Sequence, residues 1–274
     1  MSGGEIYVAC AYDYGTVPTA LMGLGPAAVL TLLATVAMAL FTDRRQRQAI
    51  QRERAFTRAA AHELKTPLAV LRAHAEALRE DIDPAKREQY LDVVLGESDR
   101  MAALTAGLLD LARLEGGAEL ERQRLDLSKL VETAAGRLAL PLEQKGVDLR
   151  LELTECWVEG DRTRLESVAD NLLSNALRHC PQGGQITVTL GRKGREAVLA
   201  VDNDGPPILE ADLPHIWEPF YRGDASRSRA TGGTGLGLAI VRAAVLAHGG
   251  SCSAENRQGG VIFQVTLPGL QSGG

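Results

Sequence analysis

The segment Ala61–Leu68, AHELKTPL, places a histidine, an acid, a hydroxyl and a proline within eight consecutive residues. A neutral imidazole such as that of His62 can attack a phosphoryl group if a nearby base accepts its proton. Glu63 is adjacent on the same helical turn, and Thr66 lies one turn further along the face of His62. Pro67 removes a backbone donor and predicts a bend beside the histidine. The spacing predicts a reactive histidine on a helix.

This segment belongs to a predicted helical hairpin. The first helical block runs to about Glu80, and the sequence Asp81–Pro84 predicts a turn with the proline at the start of the next helix. Gly116 and Gly117 end the second block. Because a two-helix hairpin cannot bury an apolar stripe alone, we expect two copies of the chain to form a four-helix bundle. The stripe of the second block has near-heptad spacing and consists of Val94, Met101, Leu104, Leu108, Leu111 and Leu114.

Beyond about residue 122, short strands and helices alternate. The periodicities predict helices over 127–139, 164–178 and 236–247. They predict strands over 147–153, 186–190, 197–201 and 261–267, of which the middle two form a hairpin. Together these elements indicate an α+β sandwich of about 150 residues.

A long uncharged window precedes the hairpin. No Asp, Glu, Lys, Arg or His occurs from Tyr14 to Thr42, a stretch of 29 residues. The apolar part, Val17–Phe41, is long enough to span a bilayer. A buried core helix rarely runs this long without charge, and a cleaved signal peptide lacks its basic start here. Arginines crowd the stretch after Phe41, which predicts that the following residues are cytoplasmic.

Composition excludes some classes of protein. The chain has 274 residues and a net charge of −5, with 4% aromatic residues. A mildly acidic chain without aromatic platforms argues against a nucleic-acid binder. The cysteines are scattered without metal-site spacing, as in a reduced cytosolic domain without zinc.

Two asparagines four residues apart occur in Asp170–His179, DNLLSNALRH. Asn171 and Asn175 share one predicted helix face, where amide oxygens suit a hard ion such as Mg²⁺ held together with phosphates. Arg178 and His179 follow on that helix, where a charge can meet phosphate and a ring can cover a base. One capping and one surface asparagine are the alternative interpretation.

The segment Val201–Ile208, VDNDGPPI, follows a predicted strand and turns at its Gly-Pro. Counting every second residue along the strand from Leu199 reaches Asn203, which supports Asn203 as the functional side chain of this segment. Asp202 or Asp204 takes that place only if the register shifts by one residue.

An aromatic cluster occupies Ile216–Gly223, IWEPFYRG, with Tyr221 and Arg222 side by side. Core packing is one interpretation of the cluster. The next ten residues, Asp224–Gly233, are polar and small, as expected of a mobile loop over a site.

Glycines dominate Gly232–Val241, GGTGLGLAIV. Such glycines let backbone N–H groups approach phosphate, and the following helix presents its N-terminus to the anion. The G-x-G-x-G spacing of Gly233, Gly235 and Gly237 differs from the dinucleotide fingerprint, and the chain has no P-loop motif. Thr234 adds a hydroxyl.

In their order and approximate spacing, over Arg54 to Pro268, these five segments resemble the conserved boxes of bacterial two-component sensor histidine kinases. They match in turn the phosphoacceptor His box, the Asn box, the first glycine box, the Phe box and the second glycine box. The third box departs from the family pattern, with Asn203 in place of Asp and Pro207 in place of Gly.

The resemblance implies an α+β protein with a single transmembrane helix, an antiparallel helical hairpin forming a dimeric four-helix bundle, and an α/β-sandwich ATP-binding domain. It implies ATP and Mg²⁺ as cofactors, with Asn175 holding the metal. His62 would be the phosphoacceptor, Glu63 the general base and Thr66 the residue that positions water for phosphatase activity. The residues implied in ATP binding are Asn171, Asn175, Arg178, His179, Asn203, Asp204, Gly205, Pro207, Tyr221, Arg222, Gly233, Thr234, Gly235, Leu236, Gly237 and Leu238.

The expected partners are a second copy of the chain, a response regulator and the membrane bilayer of a bacterial cell. The expected segments are a short extracytoplasmic stretch (1–16), a transmembrane helix (17–41), a juxtamembrane helix (42–54), the dimerisation and phosphotransfer domain (55–117), the ATP-binding domain (123–270) and a tail (271–274). An upstream helix and sensor domain missing from this sequence remain an alternative.

Three other functions compete with the kinase. A phosphatase-dominant member is favoured by Asn203 and Pro207. A non-catalytic anchor for a regulator is the second alternative. The third is another ATPase of the gyrase, mismatch-repair and chaperone superfamily, which shares the Asn and glycine boxes but has no AHELKTP segment before them.

Overall fold

A computed structural model of the chain describes residues 16–116, 119–223 and 234–270; within these ranges, the side chains of 16–29, 48, 49, 52 and 115 are not described. Residues 1–15 of the expected extracytoplasmic segment 1–16, the loop 224–233 that includes Gly233, and the tail 271–274 lie outside the described residues. The chain divides into two units, Met1–Arg58 and Ala59–Gly274.

Two long helices form the first part of the chain. Helix α1 runs over Thr16–Arg79, a short 3₁₀ turn follows at Pro84–Lys86, and helix α2 runs over Arg87–Glu115. The predicted turn at Asp81–Pro84 is confirmed, and α2 ends at Gly116 as expected. In the part of the chain that the structure describes, no helix has the combination of length and apolarity that crossing a membrane requires.

The second part, residues 122–270, is called the sandwich domain below. Its elements are β1 (Arg122–Asp126), α3 (Leu127–Arg137), α4 (Ala139–Lys145), β2 (Asp148–Leu153), β3 (Trp157–Asp161), α5 (Arg162–His179), β4 (Gln185–Lys193), β5 (Glu196–Asp204), α6 (Gly237–Ala247), β6 (Ser251–Arg257) and β7 (Gly260–Pro268). The predicted hairpin is confirmed as β4 and β5. Strands β1, β3 and β6 and helix α4 were not predicted, because they are short or carry too few apolar residues to show a period.

A five-stranded sheet in the order β2-β4-β5-β7-β6 forms one layer of the sandwich domain. Helices α3, α5 and α6 pack together as the other layer. Strand β2 is parallel to β4, and the other neighbours are antiparallel. The alternate residues of β4, β5 and β7 that face the helices are buried, including Val188, Val201 and Phe263. This confirms the α+β class of the prediction.

A buried histidine joins the end of α6 to the start of α5. The backbone N–H of Asp161 donates to His248 Nε2 at 2.9 Å, and His248 Nδ1 lies 2.7 Å from the carbonyl oxygen of Ala244. The Asp161 side chain then caps α5 by accepting from the N–H of Arg164. Because His248 Nε2 accepts a hydrogen bond from the Asp161 N–H, the bridge requires the neutral imidazole.

Candidate functional site

The predicted reactive histidine lies on an unbroken helix. His62 is exposed on α1, and the Thr66 hydroxyl donates to the His62 carbonyl oxygen at 3.3 Å. Thr66 therefore lies beside His62, as the spacing of four residues predicts. Pro67 is buried, and α1 continues past it to Arg79.

Glu63 is held by two arginines from different parts of the fold. Its Oε2 lies 3.4 Å from Nη2 of Arg222, in the sandwich domain, and 3.9 Å from Nη2 of Arg100, on α2. Arg100 also lies 3.8 Å from Glu97 on the same helix. The three paired side chains Glu63, Arg100 and Arg222 are each less than a third exposed.

The two predicted asparagines lie on α5 with different surroundings. The Asn171 amide nitrogen donates to the Ser167 carbonyl oxygen and hydroxyl, which fixes its amide oxygen toward α6. A Cβ atom added to Gly237 would lie 2.7 Å from that oxygen. Asn175 is half-buried, and its amide forms no hydrogen bond with any residue that the structure describes. Its donor and acceptor groups are thus available to a ligand.

The end of α5 is positively charged. Lys145 Nζ donates to the carbonyl oxygens of Leu177 and Arg178 at 2.6 and 3.1 Å. Desolvation by surrounding protein atoms and the charge of Arg222 lower the pKa of Arg178. Desolvation, Arg178 and Lys145 likewise lower the pKa of His179, which favours its neutral ring. Both side chains are still more than a third exposed.

Asn203 has the environment of a recognition group. It is buried on β5 in line with Val201, and its Nδ2 donates to the Asp204 carbonyl oxygen at 2.9 Å. This bond orients the amide, and Oδ1 remains buried without a hydrogen-bond partner among the described residues. The flanking Asp202 and Asp204 face the other way, where both bind Arg257. Asn203 is therefore the inward-facing side chain of this segment.

The turn after β5 lies against the end of α5. A Cβ atom on Gly205 would lie 2.9 Å from the carbonyl oxygen of His179, so only glycine fits this approach. The turn thus brings Asn203 close to the α5 residues. Pro207 is exposed.

The aromatic segment is hydrogen-bonded to the glycine loop, residues 234–237. The backbone N–H of Phe220 donates to the Gly235 carbonyl oxygen at 2.8 Å, and Phe220 has a left-handed φ of 65°. A Cβ atom on Gly235 would lie 2.9 Å from Phe220 Cα. Tyr221, the next residue, has a partner outside the glycine loop: its hydroxyl donates to Asp212 at 2.7 Å. This bond raises the pKa of Tyr221.

The glycine loop also packs against the helical hairpin. Leu236 is buried, and a Cβ atom on Gly107 of α2 would lie 3.2 Å from Leu236 Cδ1 and 3.5 Å from Ile240 Cδ1. Within the glycine loop, the Leu236 N–H donates to the Thr234 hydroxyl oxygen at 3.4 Å. Leu238 packs against the sandwich core. An ion pair between Arg164 of α5 and Asp110 of α2, at 3.0 Å, adds to this contact.

A cleft of about 520 Å³ lies between α2 and the sandwich domain. The sandwich side of the cleft supplies Asn171, Arg178, Thr234 and Gly237, which the sequence predicted as site residues. The hairpin side supplies Glu97 and Arg100, which the sequence analysis missed. These two are ordinary surface charges within a heptad pattern, and only the packing of the sandwich domain on α2 brings them to the cleft. One carboxylate oxygen of Glu97 is buried without a partner among the residues described.

Comparisons with known proteins match both parts of the chain. Residues 52–117 match the His Kinase A (phospho-acceptor) domain, and residues 160–271 match the histidine kinase-, DNA gyrase B- and HSP90-like ATPase family. Sensor histidine kinase TrcS of Mycobacterium tuberculosis is 40% identical over 229 residues, which are 80% of this chain and 44% of TrcS. Sensor protein SphS of Synechococcus elongatus is 41% identical over 221 residues, 76% of this chain and 53% of SphS. The chain thus spans about half the length of the curated relatives it matches.

Two solved structures resemble the fold across both parts. Histidine kinase ThkA in complex with the response regulator protein TrrA aligns with a TM-score of 0.66 at 27% identity, over 82% of this chain and 64% of that chain. Acinetobacter baumannii histidine kinase AdeS aligns with a TM-score of 0.64 at 25% identity, over 76% of this chain and 97% of that chain. A gyrase-like ATPase would match the second domain alone. Because the phosphoacceptor and ATPase domains occur together and in order, the chain belongs to the two-component sensor histidine kinases.

Proposed function

We propose that the chain is an ATP-dependent protein histidine kinase that phosphorylates itself on His62 and passes the phosphoryl group to an aspartate of a response regulator. One observation carries the proposal: an exposed helical histidine and a polar cleft belong to the same compact unit of the chain. The cleft is lined by Asn171, Arg178, Thr234 and Gly237. Phosphoryl transfer depends mainly on positioning and charge neutralisation, which these groups provide.

Asn203 and two residues of the cleft have groups that fit ATP. The buried, unpartnered Oδ1 of Asn203 can accept a hydrogen bond from the adenine amino group, and it would repel the carbonyl oxygen of guanine at the same place. Gly237 lines the cleft at the start of α6, so the N-terminus of that helix faces the space in which phosphate would bind. The cation of Arg178 faces the same cleft and would contact the phosphates.

Asn175 is the residue that we propose for Mg²⁺. A hard ion prefers oxygen ligands and shares them with phosphate and water. The amide of Asn175 has no protein partner among the described residues, and it shares α5 with the cleft-lining Asn171 and Arg178. When bound, the metal ion would neutralise charge on the phosphates.

His62 needs a proton acceptor and an approach for the phosphoryl group. Because His62 is exposed on α1, its ring is accessible to the phosphoryl group. Glu63 is the proposed general base, since it is the next residue on the helix. Its carboxylate is paired with arginines in this arrangement, so it must be released before it can serve His62.

Thr66 is the proposed phosphatase residue. Its hydroxyl lies one turn from His62 and, among the described residues, bonds only to the His62 carbonyl oxygen. A rotamer change would free it to orient a water molecule. The regulator would then be both substrate and partner of the α1 surface around His62.

A homodimer is the proposed assembly. Apolar side chains along the hairpin are exposed in the single chain, including Leu68 on α1 and Leu91, Leu95 and Leu109 on α2. A four-helix bundle formed with a second copy would bury them.

Anchoring in the bacterial inner membrane is the proposed localisation, with residues 17–41 as the span and the catalytic domains in the cytoplasm. The uncharged window and the arginines that follow support it. Apolar side chains between Leu30 and Phe41 are about half to two thirds exposed on α1, as expected of a lipid-facing surface. Membrane fractionation of the full chain against a variant lacking residues 1–42 tests this.

Incubation with γ-labelled ATP and Mg²⁺ tests the kinase. The full chain should acquire an acid-labile, alkali-stable label that is absent from His62→Gln. A label that persists in His62→Gln would overturn the assignment. Binding of ATP without label, together with dephosphorylation of a phosphorylated regulator, would favour the phosphatase-dominant alternative, which the neutral Asn203 supports.

A further inference from the structure

Arg222 contacts the helix that carries the phosphoacceptor. Its Nη2 lies 3.4 Å from Glu63 Oε2, 159 residues earlier in the chain. Arg222 is only 16% exposed and Glu63 27%, so the pair is partly shielded from water. Partial shielding makes this contact stronger than an open surface ion pair.

The same arginine is anchored beside the proposed phosphate site. Phe220, two residues earlier, is hydrogen-bonded to Gly235 of the glycine loop at 2.8 Å. Arg178, which lines the cleft, lies close enough for the charge of Arg222 to depress its pKa. Arg222 therefore contacts the Glu63 carboxylate and is near Arg178, which would meet a phosphate chain bound in the cleft.

Glu63 keeps a second cation when Arg222 leaves. Arg100 lies 3.9 Å from Glu63 and belongs to the hairpin itself, so it remains nearby if the sandwich domain shifts. A phosphate chain carries more negative charge than one carboxylate and offers Arg222 bidentate contacts.

We propose that Arg222 exchanges between Glu63 and the nucleotide phosphates, so that ATP binding releases the Glu63 carboxylate from Arg222 and leaves it beside Arg100 alone when it acts on His62. Arg222 is then a positioning residue that couples nucleotide occupancy to release of the general base. The proposal rests on the proposed nucleotide site and specifies how that site controls the phosphoacceptor helix.

The exchange has a reciprocal consequence for binding. If the nucleotide must break the Glu63–Arg222 pair, binding loses the free energy of that pair. Removing Glu63 must then strengthen nucleotide binding by the factor that corresponds to this free energy. We expect Glu63→Gln to lower the dissociation constant of a non-hydrolysable ATP analogue with Mg²⁺ by about two- to fivefold, the range of a modest ion pair.

A double-mutant cycle on the full chain in detergent tests the coupling. Glu63→Gln should tighten binding in the wild-type background and have no effect in the Arg222→Gln background. Arg222→Lys keeps the charge and should restore part of the coupling. Glu76→Gln is the matched control, because Glu76 is also on α1 and pairs with Arg72 at 2.8 Å within that helix. It changes the net charge equally and should leave nucleotide affinity unchanged.

The outcomes separate this inference from the proposed function. Equal affinity of wild type and Glu63→Gln, or the same tightening with and without Arg222, would overturn the exchange while leaving the kinase proposal intact. Failure of the wild-type chain to bind the analogue would overturn the proposed function and the exchange together. Circular dichroism spectra that match wild type establish that each variant is folded.

Discussion

At the level of single residues, close approaches within the cleft depend on glycines. Gly237 opens α6, and the oxygen of Asn171 occupies the space where a Cβ would lie. Sequence spacing identified both residues as site candidates. It gave no indication that they touch, because that contact depends on how α5 and α6 pack.

Substitution Gly237→Ala should therefore weaken nucleotide binding. The added methyl group would displace the Asn171 amide, and overpacking of this kind costs roughly 1–3 kcal/mol, which corresponds to about a five- to 150-fold loss of affinity. Titration with an ATP analogue measures the effect. Gly136→Ala is the control, since nothing lies within 4 Å of a Cβ atom added to this helical glycine. Equal affinities for the two variants would contradict the packing argument.

His248 makes stability depend on pH. Burial is the main cause that lowers its pKa below the ordinary 6.5, and the nearby Arg122 adds to the effect, whereas the Ala244 carbonyl and Asp161 oppose it. Because the folded pKa lies below the unfolded value, His248 stabilises the fold above about pH 6.5, and this contribution is lost as the pH falls.

Urea unfolding of wild type and His248→Gln at pH 7.5 and pH 5.5 measures this contribution. We expect wild type to lose up to about 1.4 kcal/mol per pH unit more than the variant. The variant retains His179 and the other histidines, so the difference isolates His248. Parallel pH dependence in both proteins would show that His248 does not contribute.

At the level of elements, α2 has two apolar faces. Leu104, Gly107 and Leu111 follow spacings of three and four residues and share the face that packs against α6. Leu95 is nine residues before Leu104, which places it about 180° away around the helix. The heptad stripe predicted for the bundle thus includes two leucines, Leu104 and Leu111, that are already buried within one chain, because the sandwich domain packs on them.

Substitution Gly107→Val should loosen the contact between α2 and α6. The larger side chain would push against Leu236 and Ile240, so amide hydrogen exchange over 236–247 should become faster. Gly96→Val is the matched control on the same helix, where nothing lies within 4 Å of the added Cβ. Both variants carry the same helix-propensity cost, so similar exchange rates in α6 would argue against the contact.

At the level of the whole molecule, the exposed leucines of the hairpin predict a dimer. Leu95→Asp should shift the protein toward monomer, because a charge in a bundle core is costly to bury. Light scattering of the full chain in detergent measures the mass. Leu209→Asp is the control, since Leu209 is 68% exposed on the sandwich domain. A monomeric wild type, or two variants that remain equally dimeric, would refute the predicted interface.

The sequence by itself determined the candidate site residues and their local placement. His62 and Thr66 share a helix turn, Asn171 and Asn175 share α5, and Asn203 points inward from β5, because helix and strand periods act over a few residues. Only the tertiary structure decided which groups meet across long separations. The pairing of Glu63 with Arg222, the approach of Asn171 to Gly237 and the approach of Gly107 to Leu236 depend on the packing of whole elements. No local period encodes such contacts, so the proposed coupling of the cleft to the helix that carries His62 depends on the tertiary fold.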